Sequence, residues 1–161
     1  MKNNTFVYTN LYHMKTVFDK ATRDSLIARI ETLTEDSQAL WGKMNIYQMV
    51  MHCIKGDSTY LAQKSYKQIF IGKLFGKTAL KQLLKDEQPM RRNSPTSPDF
   101  IIEATTGDLQ ALKQQWIELV NRYEHYQAPS ITHFFFGKIT REQIGRLAYK
   151  HIDHHLRQFG A

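Results

Sequence analysis

The stretch His151-Ile152-Asp153-His154-His155-Leu156-Arg157-Gln158-Phe159 closes a run that begins at Thr140, and its reading decides the fold. On a helix of about 100° per residue with His151 at zero, Ile144, Leu147, Ala148, His155, Gln158 and Phe159 fall within roughly 80° of it. His151 and His155 therefore lie on the stripe that the helix buries. Glu142, Arg146, Lys150, Asp153 and Arg157 occupy the opposite arc, which reads as a solvated face. Imidazoles at i and i+4 project side by side, the spacing with which a helix offers two ligands to one metal ion. Hydrogen bonding inside a core would satisfy such a pair equally well, and a zinc-type centre needs three or four protein ligands.

A third histidine lies on an earlier helix. Asn45 is a good N-cap, and the helix that it opens is expected to run to about Ser65. On it, Gln48, Met49, Gly56, Thr59 and Gln63 fall within about 60° of His52. That strip is small and polar where a core strip is apolar, and Gly56 removes a side chain one turn from His52, so the face reads as built around a cavity. Ile46, Val50, Cys53 and Tyr60 form the apolar arc beside it. Cys53 therefore reads as a buried structural thiol rather than a nucleophile.

Working outward, Leu26, Ile27, Ile30 and Leu33 predict a first helix from Asp19 to Leu33, after a lead-in over residues 1–18 in which Phe6, Tyr8, Leu11 and Tyr12 can pack. Thr34 to Gly42 reads as a loop, with Trp41 as a plug over the end of the fold. Residues 66–107 are a long connection holding one short amphipathic helix, Gly72 to Asp86, with Leu74, Phe75, Leu83 and Leu84 as its apolar positions. Lys73, Lys77, Lys81 and Lys85 repeat along it every four residues, either as a solvated face or as a candidate anion-binding ridge. Leu109, Leu112, Trp116, Leu119 and Tyr123 make the stripe of a further helix, Asp108 to His125. Gln127 to Lys138 reads as a loop carrying His133-Phe134-Phe135-Phe136-Gly137, and Thr140 with Gln143 forms a capping box that starts the last helix.

Four long amphipathic segments without strand-like alternation predict an all-α fold, an antiparallel four-helix bundle with its long connection between the second and third helices. His52 near the start of one helix and His151 and His155 near the end of another reach the same depth if those helices run antiparallel. The 161 residues suffice for one domain, 1–161. The single cysteine excludes an internal disulfide, and the start MKNNTFVYTN has no apolar export segment, so a cytoplasmic protein is expected. No run approaches the roughly 18 apolar residues of a membrane span. A net charge of +7 keeps anionic partners in view, and residues 64–100, with eight basic and three acidic side chains, hold five of those charges.

Trp41-Gly42-Lys43-Met44-Asn45, Gln48 and His52, Phe135-Phe136-Gly137-Lys138 and the closing His151-x-x-His154-His155-Leu156-Arg157-Gln158-Phe159 together resemble the DinB-like superfamily of metal-binding four-helix bundles, over about residues 20–160. Within it, the chain is most similar to a branch of uncharacterised bacterial domains that end in such a tail. The resemblance implies that His52, His151 and His155 bind a divalent metal, zinc or nickel. It also implies a candidate activity, transfer of a low-molecular-weight thiol such as bacillithiol or mycothiol to an electrophilic small molecule. Gln48, Thr59 and Gln63 would then orient the acceptor, Gln158 would fix an imidazole and His154 would serve as an outer-sphere acid or base. Three other readings stand beside it: a metal-dependent hydrolase on the same ligands, a non-catalytic metal-stabilised scaffold, and a basic module binding nucleic acid or an anionic surface through the Lys73 to Arg92 region. The expected partners are a small molecule and a second copy of the chain, with no membrane and no nucleic acid.

Overall fold

Reciprocal capping bonds fix where the two histidine-bearing helices begin. Asn45 Oδ1 accepts the Gln48 N–H at 2.9 Å while Gln48 Oε1 accepts the Asn45 N–H at 3.0 Å. Thr140 and Gln143 make the same exchange, at 3.3 and 3.0 Å. Each pair satisfies backbone donors that a helix start leaves without partners. The computed structural model describes residues 14–94 and 96–161. Its helices are α1 (Lys20–Glu31), α2 (Ile46–Leu61), α3 (Phe70–Leu83), α4 (Leu109–Arg122) and α5 (Arg141–Gln158). Short 3-10 turns at Pro98–Phe100 and Tyr123–His125 and an antiparallel hairpin, β1 (Ser130–His133) with β2 (Gly137–Thr140), complete the described elements. The fold is mostly helical, and no described helix is long and apolar enough to cross a membrane.

Both α1 and α2 pack against α4 and α5. The core they enclose runs from Val17 to Phe159, with Trp116, Tyr123, Ile144, Ile152 and Leu156 shielded completely. The lead-in reaches it where the Val17 N–H donates to the Gly145 carbonyl at 3.2 Å. A Cβ at Gly145 would collide with Thr16 and Phe18, so that approach requires glycine. Phe6, Tyr8, Leu11 and Tyr12 lie outside the described residues.

The stretch expected to be an irregular loop holds the hairpin instead. Ile131 pairs with Ile139 and His133 with Gly137, and these four positions are the buried ones. Strands of four residues are too short for alternation to stand out beside three consecutive phenylalanines. The arc of α5 read as solvated is also half covered, because Lys150 and Asp153 are buried. Lys150 Nζ donates to the Leu83 and Gln88 carbonyls at 2.7 and 3.0 Å, while Arg29 and Arg157 each pair with Asp153 at 2.7 Å. Periodicity within one helix does not report which distant segments fold over it.

The helix in the long connection runs from Phe70 to Leu83 rather than Gly72 to Asp86; Leu83 and Leu84 pack half-buried against the core as expected, but the first two turns face the other way. Its buried strip is Gly72, Gly76 and Leu80, and Leu74 and Phe75 face solvent. A Cβ at Gly72 or Gly76 would strike the Phe135 carbonyl. The two glycines thus let the α3 backbone lie directly on the hairpin turn.

Candidate metal centre

His52 from α2 and His151 and His155 from α5 meet in the interior. Their ring centroids are 4.8 to 5.1 Å apart, and one ring nitrogen from each lies within 4.8 Å of the others. Gly56, one turn along α2 from His52, makes the meeting sterically possible. A Cβ there would press on His151 Cε1 at 3.0 Å, so the space that the sequence reads as a cavity is filled by the His151 ring.

Outer hydrogen bonds set the tautomers. His52 Nδ1 lies 3.0 Å from the Phe100 carbonyl, which only accepts, so Nδ1 carries the proton and Nε2 keeps its lone pair. Gln158 Nε2 donates to the Trp41 carbonyl at 2.7 Å. That orients the Gln158 amide so that Oε1 accepts the His155 Nδ1 proton at 2.8 Å, leaving His155 Nε2 bare. His52 Nε2 and His151 Nε2 are 3.1 Å apart. Either His151 donates a proton across that gap or both lone pairs turn to a shared cation.

Burial also favours neutral rings. It lowers the pKa of His52 despite the Phe100 hydrogen bond, with Lys55 adding to the effect. Burial and then the neighbouring His155, His52 and His154 put His151 well below the ordinary histidine value, and burial followed by His52 lowers His155 to about 3. Neutral imidazole is the form that ligates a metal.

The remaining residues of interest divide between the site and other tasks. Gln158 touches His155 directly. His154 is buried between His155, at 5.1 Å, and Trp41, at 5.6 Å between ring centroids. It lines a cleft of about 330 Å³ that also includes Met90, Arg92 and Arg157. Trp41 is therefore a wall of that cleft, with the Arg92 guanidinium 4.3 Å above its ring. Gln48, Thr59 and Gln63 have backbone partners: Gln48 caps α2 and donates to Ile102 O at 3.0 Å, Thr59 donates to Lys55 O at 2.9 Å, and Gln63 accepts from Ala128 N at 2.8 Å. Lys73, Lys77 and Lys81 are exposed on α3, and Lys85 lies beyond its end, 3.8 Å from Asp86.

Cys53 is fully buried and its pKa is pushed well up by that burial. His133 accepts the Phe135 and Phe136 N–H groups through Nδ1 at 3.0 and 3.2 Å, which makes it the organiser of the hairpin turn. Asp57 accepts from Trp116 Nε1 at 2.9 Å and Tyr123 OH at 2.8 Å, bracing α2 against α4 and the turn that follows it.

Phe100 is the contributor that sequence reasoning missed. It acts through its backbone carbonyl, which no side-chain pattern marks. Asn45, Gln48 and His52 donate in turn to the carbonyls of Thr105, Ile102 and Phe100. That run of donors along one face of α2 was the available hint that an extended segment lies against it.

Residues 15–161 match the family described as "Protein of unknown function (DUF1569)", and the chain belongs to that family. No curated protein and no solved structure matches the chain.

Proposed function

We propose that His52, His151 and His155 hold one divalent cation, zinc or nickel, in a DinB-like four-helix bundle formed by α1, α2, α4 and α5, and that the ion serves transfer of a low-molecular-weight thiol to an electrophilic small molecule. The observation that carries the metal is the convergence of three ring nitrogens within 4.8 Å. Outer bonds to Phe100 and Gln158 on two of those rings are the kind of support that metal-binding histidines require. When bound, an ion held by three neutral ligands supplies a Lewis acid that lowers the pKa of a thiol or a water.

The chain's own residues do the rest. Phe100 and Gln158 hold the rings in register, and burial keeps them unprotonated. The donor set of the described cluster is three imidazoles, which carry no charge of their own when neutral. A thiol acidified in this way needs no base beyond solvent. Its S–H proton is lost to water, its sulfur bonds to the electrophilic carbon, and the leaving group departs with the electrons of the broken bond. Water on the same ion would lose its proton by the same route, so the three ligands serve hydrolysis equally and the assays below separate the two. His154, one position from His155 and on the cleft, is the candidate outer-sphere proton carrier. The near-complete burial of His52 and His155 supports a second reading, a metal-stabilised scaffold without turnover.

Elemental analysis of untagged protein purified without chelator tests the site. About one ion per chain is expected, lost in His52→Ala and His155→Ala, and wild-type metal content in those variants refutes the assignment. The reaction is tested with bacillithiol, glutathione, coenzyme A and cysteine against a chromogenic haloaromatic acceptor. Turnover that needs the thiol and vanishes on chelation and in His151→Ala supports the transferase. Thiol-independent ester cleavage supports the hydrolase, and silence in both assays supports the scaffold.

A further inference from the structure

On α3, the side that meets solvent is the apolar one. Phe70, Ile71, Leu74 and Phe75 are 77%, 55%, 60% and 57% exposed, whereas Gly72, Gly76 and Leu80 face the protein. Single exposed leucines need no explanation, but a contiguous group of large apolar side chains on one helix marks an interaction surface. The helix is held in this orientation, since Gly72 and Gly76 press its backbone onto the Phe135 carbonyl and no other residue type fits there.

The charges around the group say what would cover it. At about 100° per residue the four apolar side chains span roughly 140°; Lys73 and Lys77 lie along one flank of that arc and Lys81 falls just inside the same edge, further along the helix. All three lysines are exposed, none is in an ion pair among the described residues, and α3 contains no acidic residue. Large apolar side chains flanked by unpaired lysines fit a surface that is both oily and anionic.

We propose that α3 is the docking surface for an anionic lipid bilayer, with Phe70, Ile71, Leu74 and Phe75 entering the boundary between headgroups and acyl chains and Lys73, Lys77 and Lys81 meeting lipid phosphates. Helices of this kind lie in the interface plane and need no spanning segment, so the proposal departs from the sequence expectation of no membrane partner. Pairing α3 with its copy in a second chain would bring two lysine ridges into one contact with no acidic residue on either helix. Like charges at close range disfavour that contact. The lipid surface supplies the missing anions.

The test is co-sedimentation of the full chain with phosphatidylcholine vesicles, with and without phosphatidylglycerol. Binding is expected only with phosphatidylglycerol and is reversed by high salt. At about fivefold per lysine near an anionic surface, the triple variant Lys73→Gln, Lys77→Gln, Lys81→Gln should partition about a hundredfold less. Phe70→Ser with Leu74→Ser should abolish binding while leaving the far-ultraviolet circular dichroism and Tm unchanged, because both sites are exposed. Equal binding to both vesicle types, or none, overturns the proposal. So does a dimer that light scattering shows dissociating in the Phe70→Ser, Leu74→Ser variant without any vesicle binding, which would assign the face to a second copy of the chain.

Discussion

α5 and α3 both break the rule that polar groups face water and apolar groups face the core, and they break it in opposite directions. α5 buries Lys150, Asp153, His154, His155 and Gln158, while α3 exposes Phe70, Ile71, Leu74 and Phe75. The departures in α5 are compensated inside the chain: Lys150 by two carbonyls, Asp153 by two arginines, His154 by the Met90 backbone, His155 by Gln158, and Gln158 by Trp41. Buried polar groups persist only when they are so bonded. The departures in α3 have no such answer among the described residues. A region whose exceptions are satisfied internally is a site the protein has built, whereas one whose exceptions are left open is a surface that something else completes.

The largest effect separating the two should come from one substitution made in the built region. Leu156 sits beside His155 with no exposure, and Leu156→Ala should cost about 2–5 kcal/mol in urea unfolding, through lost burial and the cavity left behind. A cost under 1 kcal/mol would mean that α5 is not packed as described. Metal removal should act at comparable size. At a free ion concentration about a thousandfold above its Kd, binding stabilises the folded state by about 4 kcal/mol, so chelation should lower Tm accordingly. An identical Tm with and without chelator would count against any ion bound to the fold.

The pH dependence of stability has two opposing parts. His155, lowered from 6.5 to about 3, refuses a proton that the unfolded chain accepts. Its contribution is present above about 6.5 and is lost as pH falls toward 3. His52 and His151 are lowered too and act in the same sense. Asp57 does the reverse. Burial raises it from 3.8 to about 7 against the Trp116 and Tyr123 hydrogen bonds, so the folded chain holds a proton that the unfolded chain has released. Its contribution is present below about 4 and is lost as pH rises to about 7. Asp57→Asn removes that falling part. Between pH 4 and 7 the variant's stability should therefore rise more steeply than wild type, by up to about 1.4 kcal/mol per pH unit. Parallel profiles would show Asp57 ionised throughout, held so by its two donors.

Much of the built region was legible in the sequence, and little of the open one. The i, i+4 histidines, the odd polar strip around His52 and the Asn45 and Thr140 caps are local patterns, and local patterns survive in a single chain read alone. Gly56 showed that the strip was special but not that an imidazole fills it, because the filler comes from 95 residues downstream. Phe100 and Trp41 contribute carbonyls, which carry no residue signature. The first two turns of α3 were misread, although Leu83 and Leu84 do pack, because there the strip that packs is two glycines, and the apolar side chains that ordinarily mark a core face point outward. β1 and β2 escaped notice because four residues give alternation too few repeats to register.

A smaller effect concerns the support around the rings. Gln158 meets the histidine cluster through its hydrogen bond with His155 Nδ1, and its amide is aimed by the Trp41 carbonyl. Gln158→Ala frees the His155 ring to rotate and should weaken metal affinity by about 10- to 100-fold, read by competition with a chromogenic chelator. Unchanged affinity would make Gln158 a packing residue only.

The smallest effect is the most diagnostic for the comparison, because it repeats the Leu156 substitution on the other helix. Leu74 is 60% exposed, so Leu74→Ala removes methyl groups that touch mainly water, leaves no cavity, and exchanges leucine for a better helix former. Its stability change should lie within about 0.5 kcal/mol of wild type, the range of ordinary surface sites. The same leucine-to-alanine change would then differ about tenfold in cost between α5 and α3, and the difference would follow exposure alone. A loss of 2 kcal/mol or more at Leu74, in dilute protein without lipid, would mean that the α3 face is already covered within the chain, and the surface would no longer await a partner.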